Sequence, residues 1–169
     1  ESISPACGSV FDAMESILLP LGFTVKRFVA GADDPDPAHG GPVENLFAIR
    51  GKSGRHFAFA GHLDVVPPGE GWSSGPFEPV VKGDLLYGRG AVDMKSAAAA
   101  SVYAGALAKK QGLAEGRTIY VSCTVFEEDC DGENLKHLFR ELDLKPNWVV
   151  ICEPSNNRIA LGHKGKAQV

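Results

Sequence analysis

Four apolar, strand-like runs in this chain each end in an imidazole or a carboxylate. Phe57-Ala58-Phe59-Ala60 leads into Gly61-His62-Leu63-Asp64, and Gly88-Arg89-Gly90-Ala91-Val92 delivers Asp93. Ile119 to Phe126 delivers Glu127-Glu128, and Trp148-Val149-Val150-Ile151-Cys152 delivers Glu153. Burying a charge without a partner costs several kcal/mol, so hydrophobic strands rarely end this way. Four such endings in one chain imply that the ends converge on something cationic, and a divalent metal is the economical candidate. The same pattern constrains the fold, because the strands must lie side by side with their ends on one edge of a sheet.

The intervening segments supply the layers around that sheet. Apolar residues at 10, 11, 14, 17 and 18 have helical spacing, with Pro20 and Gly22 as stops. Phe23 to Phe28 alternates as a strand, and residues 31–42, rich in Gly and Pro, read as a surface loop. Asn45 to Arg50 and His56 to Ala60 read as strands joined by Gly51-Lys52-Ser53-Gly54, which predicts a hairpin. Residues 67–84 read as a long ordered loop with Trp and Phe anchors. The alanine-rich stretch Ser96 to Lys110, closed by Gly112, predicts a helix. Thr118 to Phe126 and Trp148 to Cys152 read as buried strands, with a helix over Glu133 to Leu142 between them. Strands alternating with helices make an α/β domain with a mixed, mostly parallel sheet.

Composition narrows the function. With 44% hydrophobic and 22% charged residues, the 169-residue chain is globular. A net charge of -4 and the absence of a basic run argue against a nucleic-acid partner. No stretch approaches the length of a membrane helix, so no membrane partner is expected. Cys7, Cys123, Cys130 and Cys152 lack metal-finger spacing and read as small buried hydrophobes in a reduced, cytoplasmic setting, with a Cys123–Cys130 bridge left open. The first residue is Glu1, and the last segment, Lys164 to Val169, is strand-like, which reads as a fragment of a longer protein.

Each candidate ligand has a plainer alternative. His62 and Asp64 fit a metal-bound imidazole whose other N–H is held by a carboxylate, or a surface His-Asp pair. Asp93 fits a bridging carboxylate or a helix N-cap. In an extended segment, Glu127 and Glu128 would point apart, so one would bind metal while the other acts as general base, unless both belong to a solvated acidic turn. Glu153 fits an oxygen ligand or a plain strand terminus. An EF-hand over Asp129-Cys130-Asp131-Gly132 fails on the position of its glycine, and Gly88-Arg89-Gly90 reaches Asp93 where a dinucleotide fingerprint needs glycine. His39, His56, His137 and His163 lie outside the strand-end pattern and read as surface or structural residues.

Taken in order, Gly61-His62-Leu63-Asp64-Val65-Val66-Pro67, Tyr87 to Lys95, Glu127-Glu128-Asp129 and Cys152-Glu153-Pro154-Ser155 resemble the zinc-dependent aminoacylase/carboxypeptidase family, which includes deacetylases and desuccinylases of N-acyl amino acids. The resemblance covers roughly residues 5–169. It implies a three-layer zinc-exopeptidase-like fold, with residues 1–160 forming the N-terminal part of the catalytic domain. Residues 161–169 would begin the crossover toward a dimerisation domain and C-terminal catalytic half that are not in this chain. It implies two zinc ions, with cobalt or manganese as substitutes. His62 and Glu153 would hold one zinc, Asp93 would bridge both, and Glu128 would hold the second. Asp64 would orient His62, and Glu127 would be the general base for a zinc-bridged water attacking the amide of an N-acyl amino acid or dipeptide. It further implies a cis Asp93–Met94 bond, one more histidine ligand from the absent segment, and a homodimer of the full-length protein. A fragment with this ligand set is expected to bind metal without turnover at enzyme rates. The competing readings are a domain that binds metal or small acids without catalysis, and a magnesium or manganese hydrolase, which His62 disfavours.

Overall fold

The computed structural model describes residues 1–5, 8–30, 43–130 and 132–162. Its centre is a five-stranded sheet in the order β1-β2-β6-β3-β7. The strands are β1 (Thr24–Ala30), β2 (Val43–Arg50), β3 (Arg55–His62), β6 (Arg117–Thr124) and β7 (Trp148–Ile151). β1/β2 and β2/β6 are antiparallel, whereas β6, β3 and β7 run parallel. The sheet is therefore mixed, as expected, with its parallel part confined to the strands that end in candidate ligands.

Helices cover both faces. Phe11, Met14 and Leu18 of α1 (Gly8–Leu18) and Ala98 and Val102 of α2 (Ser96–Lys110) pack on one face, against Leu46, Ala48, Ile119, Val121 and Cys123. Leu138 of α4 (Glu133–Glu141) packs on the other, against Phe47, Ala58 and Tyr120. The period-two alternation of β2 and β6 sends neighbouring side chains to opposite cores. The result is three layers, α/β/α.

The hairpin expected between β2 and β3 does not form, because β6 inserts between them. Seven of the eight residues of β6 are buried, so the strand needs neighbours on both edges and cover on both faces. The Gly51–Gly54 turn crosses the entry to β6. A Cβ on Gly51 would lie 2.4 Å from the Arg117 carbonyl oxygen, and one on Gly54 would lie 1.5 Å from that of Gly116. Both glycines also have positive φ, 109° and 80°.

Two further expectations change. Within the stretch read as a long loop, Val80–Lys82 (β4) begins a small antiparallel hairpin with Leu85–Tyr87 (β5), turning at Gly83-Asp84. The earlier part is pinned by Trp72, whose Nε1 donates to the Pro68 carbonyl at 2.8 Å, and by the Arg89 guanidinium stacked on the indole. β7 is also not a buried strand. It lies at the sheet edge with β3 as its neighbour, and Trp148 to Ile151 are all exposed. Its continuous apolar sequence had the signature of a covered strand, but the described residues leave it open. The loop at 31–42, Cys7, His39, His163 and the strand-like Lys164–Val169 lie outside the described residues.

Candidate metal centre

Because β6, β3 and β7 are parallel and in register, their C-terminal ends share one edge. His62 is the last residue of β3, opposite Thr124, and Cys152 continues β7 by donating its N–H to the Ala60 carbonyl at 3.0 Å. This register delivers Glu153 beside His62. After β6 the chain turns sharply at Phe126, whose φ is 65°, into the short helix α3 (Glu127–Cys130). Glu127 and Glu128 thus occupy a helical turn, not the extended segment that their position after a strand implied.

Two buried asparagines hold that turn. Asn45 Oδ1 accepts the Val125 N–H at 3.1 Å, and Asn134 Nδ2 donates to the Val125 carbonyl at 2.7 Å. Asp93 lies in a wide turn over Ala91–Lys95 with extended torsions (φ -116°, ψ 100°), ahead of α2. The N-cap position of α2 is Lys95 and not Asp93, which removes the N-cap alternative. The Asp93–Met94 bond is cis. Met94 is fully buried beneath the site, and its Sδ accepts the His62 N–H at 3.3 Å.

All six residues singled out from the sequence meet here. His62 Nε2 is 3.2 Å from Asp93 Oδ1, 3.5 Å from Glu153 Oε1 and 3.7 Å from Glu127 Oε2. His62 Nδ1 faces Asp64, 3.0 Å from its carbonyl oxygen and 3.2 Å from Oδ1. Possible ligand atoms of His62, Glu127 and Glu153 form one group within 4.8 Å of one another, and those of His62, Asp93 and Glu128 form a second. Glu127 therefore stands as close to a potential ligand position as Glu128 does. His62 and Asp64 are 1% and 0% exposed, whereas Glu127, Glu153 and Asp93 are 30%, 39% and 50% exposed, so the cluster opens outward along its acidic side.

The electrostatics describe a cluster short of positive charge. Burial raises Glu153 to about 7, helped by Glu127 and Asp93 and opposed by His62. Burial and neighbouring carboxylates also raise Glu127 and Glu128. For His62, burial pulls the other way, but Asp64, then Glu153 and Glu127, outweigh it and carry the imidazole up to about 9. Burial would likewise raise Asp64, yet hydrogen bonds from His62 and Ser4 hold it below the usual carboxylate range. One imidazole nitrogen and several carboxylates aimed at one another form an N/O donor set that suits zinc, with manganese or cobalt compatible.

Of the other histidines considered, His56 accepts or donates with the Tyr120 hydroxyl at 2.9 Å, a structural contact away from the cluster, and His137 is buried in α4. Cys123 and Cys152 are free thiols, and burial pushes Cys123 up to about 12, as befits a small core residue. Ser4, Met94, Asn45 and Asn134 were not anticipated as supports of the site. Only Asn45, a polar residue inside an apolar strand, gave any signal in the sequence.

Comparison with known proteins places this geometry. Residues 58–164 match Peptidase family M20/M25/M40. The succinyl-diaminopimelate desuccinylase of Novosphingobium aromaticivorans is 48% identical over 99% of this chain and 45% of its own length. That of Sphingopyxis alaskensis is 46% identical, with the same coverage of both. The chain thus spans a little under half the length of these curated relatives. Among solved structures, human carnosine dipeptidase 1 matches with a TM-score of 0.66 at 23% identity, over 85% of this chain and 32% of that one. The di-peptidase Dug1p of Saccharomyces cerevisiae matches with 0.64 at 20%, over 88% and 34%. These likenesses show a shared fold. A family match over more than half of the sequence, on a chain that folds like M20 metallopeptidases, establishes that this chain belongs to peptidase family M20/M25/M40.

Proposed function

We propose that this chain is the N-terminal part of the catalytic domain of a dinuclear-zinc amidohydrolase that cleaves the amide bond of an N-acyl amino acid. The observation that carries the reading is the convergence on His62 Nε2, at the end of one parallel strand, of Glu127 and Glu153 from the ends of its two neighbours and of Asp93 from the turn before α2. Relatives named succinyl-diaminopimelate desuccinylase, at 46–48% identity, support an N-succinyl amino acid as the substrate class.

In this reading His62 and Glu153 would hold one zinc and Glu128 the second, Asp93 would serve both, and cobalt or manganese could substitute. When bound, the ions supply Lewis acidity to the substrate carbonyl and to the attacking water. Asp64 fixes the His62 ring, leaving Nε2 free to bind metal. Glu127 takes the proton of the attacking water and returns it to the leaving amine. Burial, first, raises its pKa above the ordinary carboxylate value, which makes it a better proton acceptor. The partial exposure of Asp93 and Glu153 leaves the acidic side open to a small substrate.

The family resemblance supports one more histidine ligand and a homodimer contact from the part of the relatives' length that this chain does not span. Free Cys123 and Cys152 are consistent with a cytoplasmic location. No helix among the described residues is long and apolar enough to cross a membrane.

The test is hydrolysis of N-succinyl and N-acetyl amino acids by the full-length gene product, beside residues 1–169 alone. The expected result is zinc-dependent turnover on the order of 1–1000 per second for the former and metal binding without such turnover for the latter. Zinc binding with no turnover by the full-length product would favour the alternative, a non-catalytic domain for metal or small acids.

A further inference from the structure

The segment before α1 joins the site through a residue to which the chemistry gives no direct part. Ser2-Ile3-Ser4 runs beside the stretch that follows β3. Ile3 bridges Val65 in parallel fashion, Val65 N–H donates to the Ser2 carbonyl at 3.0 Å, and Ser4 N–H donates to the Val65 carbonyl at 3.3 Å. Ser2 Oγ donates to the Leu63 carbonyl at 2.8 Å. These bonds fix the segment to the main chain on both sides of Asp64 and place the Ser4 hydroxyl against its carboxylate.

We infer that Ser4 is a positioning residue for the metal site, acting through Asp64 on the His62 ring. Ser4 Oγ donates a hydrogen bond to Asp64 Oδ2. The same oxygen accepts the Glu128 N–H at 3.3 Å, and Oδ1 faces His62 Nδ1 at 3.2 Å. An ionised carboxylate only accepts, so both donors act on Oδ2 and hold the carboxylate plane in the rotation that turns Oδ1 toward the imidazole. Without the hydroxyl, Oδ2 keeps one long contact inside a fully buried environment, and the carboxylate can rock away from Nδ1. Because the Glu128 N–H shares that oxygen, rocking also loosens the turn that carries Glu127 and Glu128. The N-terminal segment is therefore a working part of the site as well as a packing element.

This inference rests on the metal-binding reading above, and its test separates the two. In the full-length gene product, zinc affinity is measured by competition with a chromophoric chelator for wild type, Ser4→Ala, Ser4→Thr and Thr118→Ala. Thr118 is buried at the opposite end of β6 from Thr124, which pairs with His62, and its hydroxyl donates to the Ser53 carbonyl at 3.1 Å, so it reports stability alone. Replacing groups that orient metal ligands costs about 10–100-fold in affinity, and one step further out about 3–10-fold is expected for Ser4→Ala. Ser4→Thr should bind within about 2-fold of wild type. Thr118→Ala should lower Tm and leave affinity unchanged. In protein stripped of metal and labelled with ¹⁵N-histidine, the Nδ1 resonance of His62 should move in Ser4→Ala and not in Thr118→Ala. Unchanged affinity and resonance in Ser4→Ala, or equal affinity losses in Ser4→Ala and Thr118→Ala, overturn the inference. If Ser4→Ala does not fold, Ser4→Thr and Ser4→Val, alike in shape and differing in the hydroxyl, replace it, and equal affinities overturn the inference. A wild type that binds no zinc overturns the metal reading instead, while the resonance comparison still decides the role of Ser4.

Discussion

Replacing Asp64 with asparagine keeps size and most hydrogen-bonding capacity while removing the charge that faces His62. In protein stripped of metal, the rise of His62 from 6.5 to about 9 corresponds to about 3 kcal/mol in favour of imidazolium, at about 1.36 kcal/mol per pH unit. Burial opposes that rise, and Asp64 is the largest contribution that overcomes it, ahead of Glu153 and Glu127. Asp64→Asn should therefore return His62 to its ordinary range or below it. The sign for stability follows from linkage. A histidine whose folded pKa is raised stabilises the fold fully below its unfolded value of 6.5, and that stability is lost as pH rises through about 9. Wild type stripped of metal should lose stability across this window, and Asp64→Asn should lose much less. Zinc affinity should fall by about 10–100-fold, because the ring loses the partner that orients it. The assays are NMR titration of the His62 ring in metal-free protein, urea unfolding between pH 6 and 9.5, and zinc titration by calorimetry. A His62 that still titrates near 9 in Asp64→Asn would refute the reasoning.

Other perturbations test separate parts of the account. In the full-length gene product, Glu127→Gln should keep zinc and lose about 10²–10⁴-fold in kcat, whereas Glu128→Gln should lose metal first. Metal analysis with steady-state kinetics shows the reverse pattern if the two roles are exchanged. Gly61→Ala would put a Cβ 2.5 Å from Met94 Cε beneath His62 and Asp93, so it should cost about 1–3 kcal/mol in urea unfolding and weaken zinc binding. Gly54→Ala meets the Gly116 carbonyl at 1.5 Å and a φ of 80°, and because the obstacle is backbone it should cost more than Gly61→Ala while lying far from the site. Equal stability of Gly54→Ala and wild type would mean that the turn does not cross β6 as described.

The ligands were legible because their signal is local: an apolar run followed by a group that is costly to bury unpaired. His62, Asp64, Asp93, Glu127, Glu128 and Glu153 all emerged that way. The assembly of all but Asp93 was legible through the parallel strands, since parallel neighbours share an end; the run before Asp93, read as strand-like, is a turn ahead of α2. What failed was information held in tertiary pairing. Gly51-Lys52-Ser53-Gly54 has the spacing of a hairpin turn, and nothing local says that β6 will pass between the strands it joins. Trp148 to Ile151 are as apolar as a buried strand, yet their burial depends on neighbours that the described residues do not supply. Glu127 and Glu128 share a helical turn because Asn45 and Asn134, distant in sequence, grip Val125 just before it. Ser4 left no trace in the sequence, since a serine near a chain start is unremarkable until it is placed against Asp64.

The central claim is that these side chains form a binding site for divalent metal, and anomalous diffraction at the zinc edge addresses it directly. Crystals of the zinc-loaded full-length gene product should show two peaks. One should lie about 2.0–2.2 Å from His62 Nε2 and a Glu153 oxygen, the other at similar range from Glu128, with Asp93 reaching both. The absence of a peak at His62 Nε2, with zinc bound elsewhere on the protein, would contradict the account.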